Sequence, residues 1–149
     1  MGLSLRFEKQ LYRQGYRIIA GVDEVGCGPL AGPLVAAAVI LPSNCRIAGL
    51  NDSKKLQPHR REELYKIIKA QAIGIGLGKI SHREIDRINI WRANLLAMKL
   101  AVEALPVTPD YLLVDGARHV IDSRIEQFGL PNGDARCASI AAASIIAKV

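Results

Sequence analysis

The sequence predicts an α/β layered domain built on a mixed sheet, and three observations carry that expectation. Two runs, 17–24 and 34–41, are apolar at nearly every position, as strands buried on both faces are. A third run, "AIGIGLGKI" over 72–80, alternates Ile73, Ile75 and Leu77 with glycines, the period of a strand. Stretches with the spacing of helices lie before, between and after these runs.

Taken in order, residues 3–14 read as a short amphipathic helix whose Leu5, Leu11 and Tyr12 face the sheet. The first buried strand, 17–24, ends at two adjacent acids, Asp23 and Glu24. "GCGPLAGP" is a turn region, because Gly26, Gly28, Pro29, Gly32 and Pro33 break regular structure. The second strand covers 34–41, and a loop with Pro42, Ser43 and Asn44 leads to "NDSKKLQP". Pro58 suits the first turn of a helix over 58–70, with Leu64, Ile67, Ile68 and Gln71 on one face. In the strand over 72–80 the glycines imply close approach by another backbone.

Ser81 with Glu84 forms a capping box for a short helix. Asn89 suits the cap of a longer one through Leu105, apolar over so wide an arc that packing on more than one side is expected. Trp91 on it is read as packing. Pro106 and Pro109 end this helix, and "DYLLVDG", 110–116, is a fourth strand ending in Asp115 and a glycine. Residues 117–133 read as loop. "GDARCASIAAASIIAKV" opens a helix that is almost wholly apolar and belongs in the core, where Ser139 and Ser144 are expected to bond backbone carbonyls.

The loop between the first two strands is too short for a crossover helix, so they should be antiparallel. The fourth strand follows a helix and should lie parallel to the first. The whole chain, 1–149, reads as one domain. It stops inside a buried helix with no glycine, cap or polar tail, which predicts a chain truncated relative to a complete fold. Ile140, Ala141, Ile145 and Ile146 would then be left open.

Composition bounds the function. Half of the residues are hydrophobic, too many for a disordered tail, and no apolar stretch reaches transmembrane length. The first residues lack the long apolar segment of a signal peptide. Cys27, Cys45 and Cys137 are an odd number without metal-site spacing, which favours a reduced, cytoplasmic protein. The net charge of +6 suits a polyanionic partner, although many basic proteins bind none.

The acids carry the chemistry. Asp23 and Glu24 end one strand and Asp115 ends another, and in open α/β sheets sites form beyond the carboxyl ends of strands. Asp134 opens a helix after a glycine and can turn towards the same point. Four acids around one pocket would select hard cations, Mg2+ or Mn2+. Two such ions about 3.5–4 Å apart are the usual device for phosphodiester hydrolysis. The competing reading is a set of solvated strand-end acids, and one geometric objection stands. Neighbouring strand residues face opposite ways, so Asp23 and Glu24 cannot both point into one pocket from a regular strand.

"GVDEVGCGPLAGPLVAAAVIL", "NDSKKL", "INIWRANLLAM", "LLVDG" and "GDARCASIAAASIIAKV" together resemble ribonuclease HII, over nearly the whole chain from residue 17 onward. The resemblance implies a ribonuclease H-like fold, a mixed five-stranded sheet flanked by helices, with the family's C-terminal helical segment missing. It implies two-metal-ion endonucleolytic cleavage, with Mn2+ or Mg2+, of RNA in RNA–DNA hybrids and of single ribonucleotides embedded in duplex DNA. A role in DNA replication and ribonucleotide excision repair follows from the same likeness.

The family's four acidic positions fall on Asp23, Glu24, Asp115 and Asp134, as catalytic and metal-holding residues. Its glycine–arginine–glycine turn falls on Gly26, Cys27 and Gly28, so a cysteine stands where the family has its arginine. Lys54 and Lys55 resemble its backbone-contacting lysines, and Asn89 resembles a position near the substrate. Where the family usually has a lysine before its "GD", this chain has Asn132. The resemblance implies a hybrid or ribonucleotide-containing duplex as partner, no membrane, and no obligate protein partner. Two alternatives stand beside it: a catalytically impaired hybrid-binding fragment, and another metal-dependent nuclease of the same fold.

Overall fold

A computed structural model describes residues 3–25, 33–51, 53–116 and 121–148. Five strands form one mixed sheet in the order β3-β2-β1-β4-β5. These are β1 (Ile19–Val25), β2 (Leu34–Ile40), β3 (Gly74–Ile80), β4 (Tyr111–Asp115) and β5 (Glu126–Leu130). β1 pairs antiparallel with β2 and β2 antiparallel with β3. β4 lies parallel to both β1 and β5. The antiparallel first pair and the parallel β1–β4 pair are those expected from connection length.

The helices are α1 (Arg6–Arg13), α2 (Pro58–Gln71), α3 (His82–Ile88), α4 (Ile90–Glu103) and α5 (Ala138–Lys148). They cover both faces, which is why β2 is apolar throughout and β1 is apolar as far as Val22. In β2, Leu34, Ala36, Ala38 and Ile40 join the core that α4 closes, while Ala37 and Val39 join the one that α5 and α2 close.

The glycines of β3 face α4. A Cβ at Gly76 or Gly78 would drive into the carbonyl oxygen of Ala101 or Ala97. Small residues on both sides thus let the helix backbone lie directly on the strand, as the alternating glycines imply. α4 is nevertheless buried along one face, Ala93, Ala97, Met98, Ala101 and Val102. Ile90, Trp91 and Leu100 are substantially exposed, so the expectations of packing on several sides and of a packed Trp91 are not met.

Two further expectations are corrected. Residues 117–133 contain a strand, β5, an edge strand carried by pairing with β4 although Phe128 is exposed. The apolar helix α5 is covered: Ile140, Ala141, Ile145 and Ile146 are at most 4 % exposed. The sheet takes one side of it, Leu64 and Ile68 of α2 take another, and Leu5 and Leu11 at α1 complete the cover. The open apolar patch expected on this helix is therefore absent among the described residues.

Candidate functional site

The parallel pairing of β1 with β4 sets the site. Val22 lies opposite Val114, so the next residue of each strand, Asp23 and Asp115, emerges side by side at the same end of the sheet. Asp23 is 3 % exposed and its Oδ1 accepts the backbone N–H of Glu24 at 2.8 Å. One carboxylate oxygen from each of Asp23, Glu24 and Asp115 lies within 4.8 Å of the others. The objection from strand alternation therefore fails here. Glu24 is paired with Ala36 inside β1, and one oxygen of its longer side chain still meets the other two carboxylates.

Asp134 arrives from the other layer, on a 3-10 turn (Gly133–Ala135) just before α5. Its own N–H donates to Asp115 Oδ1 at 3.3 Å, and the side chain is buried. Asn132 before it is left-handed, with φ at 54°. A Cβ at Gly133 would press on Ile140 and sit 3.2 Å from Asp115 Oδ1. The glycine before the acid thus leaves room for the turn to close on Asp115 without displacing Ile140. Lys54, on the 3-10 turn Ser53–Lys55, places its Nζ 3.8 Å from Asp134 Oδ2. That turn is pinned to α5 by a buried hydrogen bond of 2.7 Å between Ser53 and Ser144 hydroxyls.

Burial holds the Asp23 carboxyl well above the usual carboxylate range. The charges of Asp115 and Glu24, a hydrogen bond with Asp115 and the charge of Asp134 push in the same direction. Crowded acids sharing a dry pocket are costly unless a cation compensates them. Three convergent carboxylates with a fourth beside them, and no histidine or cysteine in the group among the described residues, fit a hard divalent ion.

The remaining sequence-predicted residues divide. Lys55 is exposed on the same turn as Lys54. Asn89 is a helix cap: its Oδ1 accepts the N–H of Arg92 at 3.0 Å. Gly26, Cys27 and Gly28 lie outside the described residues. Ser139 and Ser144, expected to bond backbone carbonyls, instead bond side chains, Glu8 and Ser53. Glu8 itself was not singled out by sequence, where an acid on an amphipathic helix reads as solvated, yet it is 1 % exposed.

A sequence model of the ribonuclease HII family matches residues 20–149. The chain is 56 % identical over 144 residues to a ribonuclease HII of Enterococcus faecalis, covering 97 % of this chain and 56 % of that one. It is 54 % identical over 143 residues to a ribonuclease HII of Acetivibrio thermocellus, covering 96 % and 56 %. It spans about half the length of these relatives. Among solved structures it is similar to ribonuclease H2 of Pyrococcus horikoshii, with a TM-score of 0.76 at 27 % identity over 88 % of this chain and 70 % of that one. Ribonuclease HII of Archaeoglobus fulgidus, solved with PCNA, matches with a TM-score of 0.67 at 28 % identity, covering 88 % and 71 %. A Bst ribonuclease HIII bound to Mn2+ matches at 0.67 and 24 % identity, covering 92 % and 52 %, which supports the fold alone.

Proposed function

The chain belongs to the ribonuclease HII family, and from that premise we propose that it is a divalent-ion-dependent endonuclease acting on RNA in RNA–DNA hybrids and on single ribonucleotides in duplex DNA. The observation that carries the reading is the convergence of Asp23, Glu24 and Asp115 within 4.8 Å, with Asp134 hydrogen-bonded to Asp115. Two ions, Mg2+ or Mn2+, would activate the attacking water and neutralise charge at the leaving oxygen.

The residues divide the work. Asp23 and Asp115 hold the centre from two adjacent strands, and Glu24 and Asp134 close it from either side. Lys54, beside Asp134, is positioned for a substrate phosphate, and Lys55 extends that contact as a point charge. Gly26, Cys27 and Gly28 are proposed to lie against the 2′-hydroxyl that separates RNA from DNA. Asn89 is proposed as a further substrate contact, beside its role as a cap. Residues 1–149 are taken as one catalytic domain.

The test is cleavage of a labelled duplex bearing one ribonucleotide, beside an all-DNA duplex, in Mg2+ and in Mn2+. Cutting at the ribonucleotide alone, abolished by excess chelator, is expected. Equal cutting of both duplexes would favour a different nuclease of the same fold. A folded chain that binds the duplex and cuts neither would favour a hybrid-binding module.

A further inference from the structure

α1 carries a buried acid as well as core side chains. Glu8, on its inner face, is buried against the start of α5. Its Oε2 accepts the backbone N–H of Ser139 at 2.9 Å, a short bond from the Ser139 hydroxyl, and the thiol of Cys137 at 3.5 Å. Its Oε1 is buried with no hydrogen-bond partner among the described residues. Burial and the nearby Glu8 carboxyl hold the Cys137 thiol well above its ordinary range, so it remains a donor. An acid without a full complement of partners in a dry site is costly, and a covering role alone would be met by leucine.

The place that Glu8 holds explains the acid. Ser139 and Cys137 follow Asp134 on one continuous piece of backbone, in which the N–H of Cys137 donates to the carbonyl of Gly133 at 2.7 Å. On its other side this piece rests on β1. A Cβ at Gly21 would overlap the Ser139 carbonyl carbon and oxygen, and Gly21 is two residues before Asp23. Phe7, next to Glu8, lies under the guanidinium of Arg136 at 5.6 Å, and Arg136 Nη1 donates to the Pro131 carbonyl at 3.1 Å. The segment carrying Asp134 is thus gripped between β1 and α1. The grip is polar as well as steric, since the Glu8 carboxyl accepts from the first turn of α5, where an anion is favoured.

We propose that Glu8 is a positioning residue for Asp134, setting the depth at which the fourth carboxylate meets Asp23 and Asp115. The proposal rests on the ion-dependent reading given above. Supports behind metal ligands commonly change ion affinity or activity by about 10–100-fold. Acting at one remove, Glu8 should lie at the low end, about tenfold.

Four forms of the 149-residue chain are compared: unaltered, Glu8→Ala, Glu8→Gln and Asp115→Asn. Mn2+ affinity is read by calorimetry, and melting temperature is read in chelator. Glu8→Ala is expected to weaken Mn2+ binding about tenfold. Glu8→Gln, whose amide oxygen still accepts the Ser139 N–H, should stay within about threefold of the unaltered chain. A purely structural role would lower the melting temperature of Glu8→Ala and leave the Mn2+ affinity of the folded protein within twofold, and that result overturns the proposal. If Glu8→Ala does not fold, Glu8→Asp, shorter by one methylene, carries the test, and unchanged Mn2+ affinity in it is equally decisive. If the unaltered chain shows no Mn2+ binding that Asp115→Asn removes, the ion-site reading itself fails, and this proposal falls with it.

Discussion

Replacing Asp23 by asparagine should make the ion-free protein more stable while removing the centre. Asp23 is almost fully buried, with carboxylates of Glu24 and Asp115 within 4.8 Å. Two unit charges at that separation repel by about 3.5 kcal/mol at an effective dielectric constant of about 20. Shared protons and the hydrogen bond from the Glu24 N–H offset part of this, leaving a gain of about 1–2 kcal/mol on neutralisation. Asparagine keeps the shape and can still accept that N–H. For a chain of this length such a gain raises the melting temperature by about 3–8 °C.

The pH dependence has a definite sign. The carboxyl of Asp23 is raised in the folded state, mainly by burial. Its contribution to stability is therefore present below the ordinary value of 3.8 and is lost as pH rises through the raised one. The advantage of Asp23→Asn should accordingly be absent near pH 3.8, grow as pH rises, and be complete only above the raised value. Saturating Mn2+ should reverse the order, since an ion at 100 times its dissociation constant stabilises by about 2.7 kcal/mol. Melting both proteins by circular dichroism in chelator and in Mn2+, across pH, reads all of this. An Asp23→Asn chain that melts lower than the unaltered one in chelator at neutral pH would refute the reasoning.

Further expectations follow from packing and charge. Gly78→Ala should lower stability by about 1–3 kcal/mol, read by urea unfolding, because its methyl group would enter the carbonyl of Ala97. Cys27→Arg, which restores the family's cation, should strengthen duplex binding and steepen its log–log salt dependence by about 0.9, read by fluorescence anisotropy.

The architecture was legible where local pattern and tertiary environment agree. β2 is apolar throughout, and β1 as far as Val22, because helices cover both their faces, and the glycines of β3 announced the backbone of α4. Asp23, Glu24 and Asp115 were legible as a set, since acids that close two apolar runs just before a glycine are informative without coordinates. β5 was not, because its five residues, "EQFGL", hold only two large apolar side chains, and one of them, Phe128, is exposed. The cover over α5 was not either. Composition says that a helix is buried, and only contacts say that Leu5, Leu11, Leu64 and Ile68 bury it. Strand alternation argued against Glu24, which does lie within β1 opposite Ala36, yet its carboxylate still joins the other two. Glu8 escaped because one acid on a short amphipathic helix carries no sign of its partner 131 residues away.

The most direct test of the account is Mn2+ binding to the unaltered chain and to Asp115→Asn, measured by titration calorimetry at neutral pH. It isolates the proposed four-acid centre from the proposed substrate contacts. Asp115 is the partner of both Asp23 and the Asp134 backbone, so its neutralisation should remove most of the binding while the circular dichroism spectrum stays unchanged. Equal Mn2+ affinity in the two proteins would contradict the claim that these carboxylates form the metal centre.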